Sequence, residues 1–169
     1  MNETNVVIRS ICLAIEKVKQ QENFPEDTPL IILGGKGFIG RRVIKELKNK
    51  NTHCVDVKNN RGFSNDWPDY LSNQKSILVN ISRSFVLKYY MPHIWPNLVL
   101  LNEVYPEPNK EEVAQYRKKG GNVYHLAGVK GTAFPSFPKA YSGSIPCSAS
   151  HYNKNIDCLL YTSPSPRDA

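Results

Sequence analysis

A cluster of glycines beside a short apolar stretch has the clearest chemical potential in this sequence. Residues 34–40 are GGKGFIG, which puts Gly35, Gly37 and Gly40 at the spacing G-x-G-x-x-G. At that spacing Gly35 is expected to permit a tight turn, Gly37 to let a diphosphate approach the main chain, and Gly40 to let a helix pack on a strand. The diphosphate would then meet the free N–H groups and the positive dipole end of the following helix. We predict that seven consecutive residues contact a dinucleotide cofactor: Gly34, Gly35, Lys36, Gly37, Phe38, Ile39 and Gly40.

An acid occurs where the sugar of such a cofactor would lie. Asp56 follows Gly35 by 21 residues, near the end of the β-rich run Thr52–Val57. A carboxylate there can accept both hydrogen bonds from an adenosine ribose, which favours NAD. Lys58 and Arg61 come soon afterwards and could pair with a 2′-phosphate, so NADP stays open. A glycine-rich turn that binds nothing is the structural alternative.

Polar residues at the ends of later strands are further candidates. Asn80, Ser82 and Arg83 follow one predicted strand and are expected to line the ribose or nicotinamide part of the site. Glu103 and His125 end the next two strands and are weak catalytic candidates for moving a proton. For both residues a structural role, as a loop carboxylate or a histidine bonded to the backbone, is the favoured interpretation.

Hydrophobic spacing predicts the elements that would position these residues. An amphipathic helix is expected over residues 5–20, and the run LIIL at 30–33 is typical of a strand covered on both faces. The alternation then continues through helices at 38–50, 67–73, 85–91 and 110–119 and strands at 52–57, 76–81, 98–101 and 123–126. This order predicts an α/β fold, a Rossmann-like doubly wound parallel sheet of about five strands with an N-terminal amphipathic helix.

The expected domain organisation has four parts. Residues 1–28 are the N-terminal helix and linker, 29–128 the dinucleotide-binding domain, and 129–157 a loop segment rich in Pro and Gly. Residues 158–169, CLLYTSPSPRDA, resemble translated sequencing-adaptor read-through, and the alternative is a short disordered terminus. No packed structure is expected from this tail, and the natural chain is expected to continue differently beyond Asp157.

Composition narrows the classes of partner. No apolar run approaches the roughly 18 residues of a membrane span, so no membrane partner is expected. The four cysteines have no metal-ligand spacing, which predicts no metal site and a reducing, cytoplasmic setting. The net charge is +7, and six basic residues against one acid lie between Lys36 and Lys50. A small anionic ligand explains that segment at least as well as nucleic acid, which is the less favoured partner.

Two families resemble this chain at the level of motifs. GGKGFIG resembles the turn of extended short-chain dehydrogenases, but no tyrosine has the lysine four residues on that their chemistry needs. The helix before the nucleotide strand, residues 101–108 (LNEVYPEP) and residues 124–128 (YHLAG) resemble the nucleotide domain of the amino-acid-dehydrogenase-like group, which includes shikimate dehydrogenases.

The resemblance implies an NAD(P)-dependent oxidoreductase or its cofactor-binding domain, which transfers hydride to or from an unidentified small-molecule substrate. The substrate domain of the family has no counterpart ahead of the nucleotide strand, so a missing substrate domain or a homo-oligomer is expected. A non-catalytic nucleotide-binding module and a basic nucleic-acid-binding protein are the alternatives.

Overall fold

The computed structural model describes residues 4–56, 62–131, 133–134, 145, 151–152 and 155–162. Its α-helices are α1 (Thr4–Glu22), α2 (Phe38–Leu47) and α3 (Lys110–Lys119). The strands are β1 (Leu30–Leu33), β2 (Thr52–Val55), β3 (Ser76–Asn80), β4 (Leu98–Asn102), β5 (Val123–Lys130), β6 (Ala133–Phe134), β7 (His151–Tyr152) and β8 (Asp157–Thr162). Short 3-10 helices at Asp69–Leu71, Ser84–Tyr89 and Met91–His93 replace the two middle helices expected from the sequence.

The main sheet has the strand order β2-β1-β3-β4-β5-β8. The first five strands are parallel, and β8 pairs antiparallel with β5. The predicted Rossmann-like doubly wound fold with an N-terminal helix is therefore confirmed. The order 2-1-3-4-5 differs from the 3-2-1-4-5-6 order of dinucleotide-binding domains and is the other common doubly wound order. The chain reverses direction across the sheet between β1 and β3, which makes their carboxyl ends the switch point where ligands bind in such folds.

The central strands are apolar on both faces because each face is covered. In β1, Leu30 and Ile32 pack in one buried cluster with α1 and α2. Ile31 and Leu33 pack on the opposite face with α3 and the 3-10 helices. Every residue of β1, β3 and β4 is buried. This explains why the strands appear in the sequence as continuous apolar runs and leaves polar groups only at the strand ends.

Helix ends follow local signals. Asn109 caps α3 by accepting from the Glu112 N–H, while the Glu112 carboxylate accepts from the Asn109 N–H. The helix α2 ends before the predicted residue 50, because Lys48 adopts the left-handed conformation at φ 51°. The longest described helix, α1, has 19 residues, and neither it nor a shorter one combines the length and apolarity required to cross a bilayer.

The expectation that the tail has no packed structure is wrong for residues 158–162. These residues belong to β8, which extends the sheet beyond β5. Cys158 is buried in the cluster beneath α1, and Lys17 on α1 forms an ion pair with Asp157 at 2.6 Å. The physical reason is that CLLYT combines apolar and β-favouring residues, which can pair with the free edge of β5. Residues 163–169 lie outside the described part of the chain.

The loop expected over 129–157 is also partly wrong. The strand β5 continues to Lys130, which is five residues past His125, the last residue of β5 that pairs with β4. Two short strands, β6 and β7, pair antiparallel within the same segment. Ile145 is buried and packs with Val129 and Ile156.

Candidate functional site

The glycine turn connects β1 to α2 at the carboxyl edge of the sheet. Gly34 has a φ of 95°, in the left-handed region that favours glycine, and its carbonyl accepts a 3.0 Å hydrogen bond from the Gly37 N–H. The tight turn that the sequence assigned to Gly35 is therefore made by Gly34. Gly35 instead lies against β2, where a Cβ atom would come within 3.1 Å of the Cys54 side chain.

Gly40 and Gly37 differ in what surrounds them. A Cβ atom on Gly40 would lie 2.3 Å from the Gly34 oxygen and 2.7 Å from the Gly35 Cα, so only glycine permits this approach of α2 to the turn. A Cβ atom on Gly37 would meet one described atom within 4 Å, the Gly34 oxygen at 3.2 Å. Gly37 has an extended φ of −73° and ψ of 174°, so a side chain there would not strain the backbone. The close approach predicted at Gly40 is present, while the space beside Gly37 is open.

Charged groups surround the turn. Lys36 forms an exposed ion pair with Asp66 at 2.8 Å, and this hydrogen bond, with the charges of Asp66 and Asp56, raises the pKa of the Lys36 ammonium. Arg42 lies over the ring of Phe38 at 4.1 Å, and Phe38 is 62% exposed. Part of the basic segment is therefore engaged within the chain. For that reason the basic segment is weaker support for polynucleotide binding than its charge alone suggests.

Asp56 lies directly after β2, which ends at Val55, whereas the sequence predicted this residue within a strand over residues 52–57. Its side chain is half-buried, and its carbonyl accepts a 2.8 Å hydrogen bond from the Ser64 hydroxyl. Its charge acts on Lys36 and on the Cys54 thiol, so the carboxylate is on the side of the sheet edge that holds the turn. Lys58 and Arg61, the candidates for a 2′-phosphate, lie outside the described residues.

A cleft of about 490 Å³ opens between the loops that follow β3 and β4. Its lining comes from two short segments, residues 81–85 and 103–105. Ser82 links this cleft to the glycine turn, because a Cβ atom on Gly34 would lie 3.0 Å from the Ser82 N and Cα atoms. The turn and the cleft are thus neighbours along one edge of the sheet.

Three buried polar side chains on neighbouring strands form a chain of hydrogen bonds at this edge of the sheet, which we call the asparagine ladder. Asn80, Asn102 and His125 occupy paired register positions on β3, β4 and β5. They are exposed by 0%, 1% and 5%, which makes hydrogen bonding between them obligatory. Asn80 Nδ2 donates to Asn102 Oδ1 at 3.1 Å, and Asn102 Nδ2 lies 3.1 Å from His125 Nδ1.

The direction of these bonds follows from their outer partners. Asn80 Oδ1 accepts from the Ser82 N–H at 3.2 Å, so its Nδ2 must face Asn102. Asn102 Nδ2 also donates to the Val104 carbonyl at 2.8 Å, an atom that can only accept. His125 Nδ1 therefore accepts from Asn102, and the ring proton of a neutral His125 is on Nε2. The same two asparagines hold the main chain of both cleft loops.

Glu103 and Arg83 both line the cleft, and no ion pair joins them. Burial raises the pKa of the Glu103 carboxyl. The Arg83 carbonyl accepts a long 3.5 Å hydrogen bond from Asn80 Nδ2. This bond holds the main chain of the loop and does not involve the Arg83 guanidinium. Of the two catalytic candidates, Glu103 faces the cleft, whereas His125 lies in the ladder behind Asn102.

The structure thus brings together Ser82, Arg83 and Glu103 at the cleft, beside the turn. Asn102 and Ser84 belong to the same region and were not singled out from the sequence. A signal for Asn102 existed, because β3 and β4 are both apolar runs that end in asparagine, SILVN and LVLLN.

No protein-family model, curated protein or solved structure matches the chain. Within the described ranges there is no group of three metal-ligating side chains, and the described cysteines Cys12, Cys54 and Cys158 are free thiols. The functional argument therefore depends on the geometry of the sheet edge.

Proposed function

We propose that this chain binds NAD(H) or NADP(H) along the carboxyl edge of β1, β3 and β4, as an NAD(P)-dependent oxidoreductase or its cofactor-binding domain. The observation that supports this most is the contact between Gly34 and Ser82. Through it the glycine turn, suited to a diphosphate, continues into a cleft suited to a small substrate. The bound cofactor would supply or accept hydride.

The residues of the turn suit a diphosphate. The main chain at Gly37 has open space beside it, so phosphate oxygens can approach where a larger residue would block them. The first N–H groups of an α-helix have no partner within it, and α2 begins directly after Gly37, so its N-terminus is next to that space. The backbone of the turn is held by the bond from Gly37 N–H to the Gly34 carbonyl, so little ordering would be needed on binding.

Asp56 is the residue we assign to the adenosine ribose. Its position after β2 suits acceptance of hydrogen bonds from both hydroxyls, and its charge disfavours a 2′-phosphate. We therefore expect NADH to bind more tightly than NADPH. Glu103 is the chain's candidate for moving a proton to or from the substrate, because its burial favours the un-ionised carboxyl.

Titration calorimetry with NADH and NADPH tests the proposal. The wild-type chain should bind NADH, and Gly37→Val should lose measurable binding because the side chain fills the phosphate path. Gly121→Ala is the control, since the added Cβ atom meets its nearest neighbour, Val99 Cγ2, at an ordinary 3.5 Å. Thermal melts of both variants would verify folding.

Two results would contradict parts of the proposal. Absence of heat with either dinucleotide on the wild-type chain would remove cofactor binding altogether. NADH binding that Gly37→Val leaves unchanged would remove the turn as its site. Binding without turnover on a panel of small carbonyl and hydroxyl substrates would favour the alternative of a non-catalytic nucleotide-binding module.

A further inference from the structure

The ammonium of Lys36 is the cation that the glycine turn itself offers to an anion. Lys36 directly precedes Gly37, which has open space beside it. The Lys36 Nζ atom lies 2.8 Å from Asp66 Oδ2, and the two side chains are exposed by 59% and 46%. A carboxylate of the chain therefore already pairs with the cation of the turn, at a contact that solvent and ligands can reach.

The loop after β2 holds Asp66 in this place. The Ser64 hydroxyl donates to the Asp56 carbonyl at 2.8 Å and accepts from the Asp66 N–H at 3.1 Å. On the other side of Asp66, Trp67 is 5% exposed and packs against the rings of Tyr90 and Trp95. Asp66 thus lies between a serine bonded to the end of β2 and a buried tryptophan, so the main chain that presents its carboxylate is fixed.

A phosphate can replace this carboxylate without unfolding the loop. An exposed ion pair contributes little free energy, and only side-chain rotation is needed to open it. A diphosphate has more negative charge than a carboxylate and more acceptor oxygens for the Lys36 ammonium. The negative charge of Asp56 also acts on Lys36. An anion at the turn therefore competes with two acids of the chain for one lysine.

We infer that Asp66 is an internal competitor for the anion site of the turn: its carboxylate holds the Lys36 ammonium when no ligand is bound, and a bound diphosphate takes that ammonium in its place. The inference deepens the proposed function by naming a regulation of the same site, and it rests on that function for the identity of the ligand. The exchange can be measured with inorganic pyrophosphate alone, so the two proposals can fail separately.

The test is calorimetric titration of the full chain with inorganic pyrophosphate and, separately, with NADH. Asp66→Asn should tighten the binding of both by about two- to fivefold, which is the range that an exposed ion pair of this kind is worth. Lys36→Met should weaken the binding of both, because the ligand loses a charge-assisted contact. In nitrogen-15 NMR spectra of the wild-type chain, pyrophosphate should shift the main-chain amides of Asp66 and Trp67 as well as those of the turn.

A double-mutant cycle separates competition for Lys36 from general charge repulsion. In the Lys36→Met background, Asp66→Asn should change either affinity very little, because the ammonium that Asp66 would hold is absent. The titrations are run at about 0.15 M salt, where repulsion between exposed charges is screened beyond about 8 Å. Asp69→Asn is the matched control: it removes an exposed carboxylate from the same segment, and no described ion pair includes Asp69. It should leave both affinities unchanged.

The outcomes separate the two proposals. Pyrophosphate binding that follows the expected cycle, without NADH binding, supports this inference and contradicts the proposed function. NADH binding with no gain from Asp66→Asn, or with an equal gain in both backgrounds, overturns this inference alone. Weaker binding in Asp66→Asn would mean that Asp66 itself contacts the ligand, and would also overturn it. Absence of binding of either probe by the wild type and all variants would overturn both proposals.

Discussion

Substitution of Gly40 by alanine measures how closely α2 approaches the turn. The added Cβ atom would lie 2.3 Å from the Gly34 oxygen, 2.7 Å from the Gly35 Cα and 2.9 Å from the Gly35 carbonyl carbon. All three are backbone atoms of a turn bonded to β2 and to itself, so no side chain can move aside. The helix must shift away from β1 to relieve the contact.

The expected cost follows from two opposing effects. Overpacking costs about 1–3 kcal/mol, and contact with three backbone atoms of the turn puts this case near the upper end. Replacing glycine by alanine in a helix recovers at most about 1 kcal/mol. The net loss is about 2 kcal/mol, which for a chain of 169 residues lowers Tm by about 4–8 °C.

Differential scanning calorimetry or circular dichroism melts provide the assay. Gly121→Ala, whose Cβ atom has only ordinary contacts, is the control and should shift Tm by less than about 2 °C. A Gly40→Ala variant with the Tm of the wild type, or above it, would refute the close approach of α2 to the turn.

Two further predictions address other parts of the fold. An aspartate at position 102 (Asn102→Asp) cannot donate a hydrogen bond to His125, so Nδ1 of that ring should acquire a proton. Nitrogen-15 NMR of the imidazole measures the change. An unchanged Nε2–H form would refute donation from Asn102 to His125. The hydrogen bond from Lys17 lowers the pKa of Asp157. The folded pKa is below the unfolded one, so the pair stabilises the chain above the ordinary aspartate pKa, and this stabilisation is lost as pH falls through the lowered value. Lys17→Met should raise the pKa of Asp157 in a carbon-13 carboxyl titration, and no change would exclude the pair.

Most of the sheet could be predicted because its strands are covered on both faces. Runs such as LIIL have no polar position, and the glycines and helical spacing between them define the crossovers. The edge strand β8 was missed because CLLYT was interpreted together with the following SPSPRDA, as adaptor read-through or a short disordered terminus. The two middle helices are replaced by 3-10 segments. Pro68 directly precedes Asp69–Leu71, and Pro92 lies within Met91–His93, where it cannot donate a backbone hydrogen bond.

The positions of the candidate site residues could be predicted only where one segment contains the signal. The turn and Asp56 belong to a single strand–helix–strand unit, so their spacing along the chain predicts their proximity in space. The cleft requires the order of β3 and β4 and the register between them, which spacing does not determine. Gly34 illustrates the same limit: two adjacent glycines can both supply the turn, and only the backbone angles distinguish them.

The asparagine ladder is better explained by positioning than by stability. Burying an amide costs about 1–3 kcal/mol if it stays unbonded, and a satisfied hydrogen bond returns about 0.5–1.5 kcal/mol net. Leucine at Asn80 and Asn102 would continue the apolar strands without that cost, as the neighbouring positions already do. Leucine would, however, release the Ser82 N–H and the Val104 carbonyl, and with them both walls of the cleft. Two polar residues at the ends of otherwise apolar strands therefore indicate that this edge is built to hold two loops at a set separation.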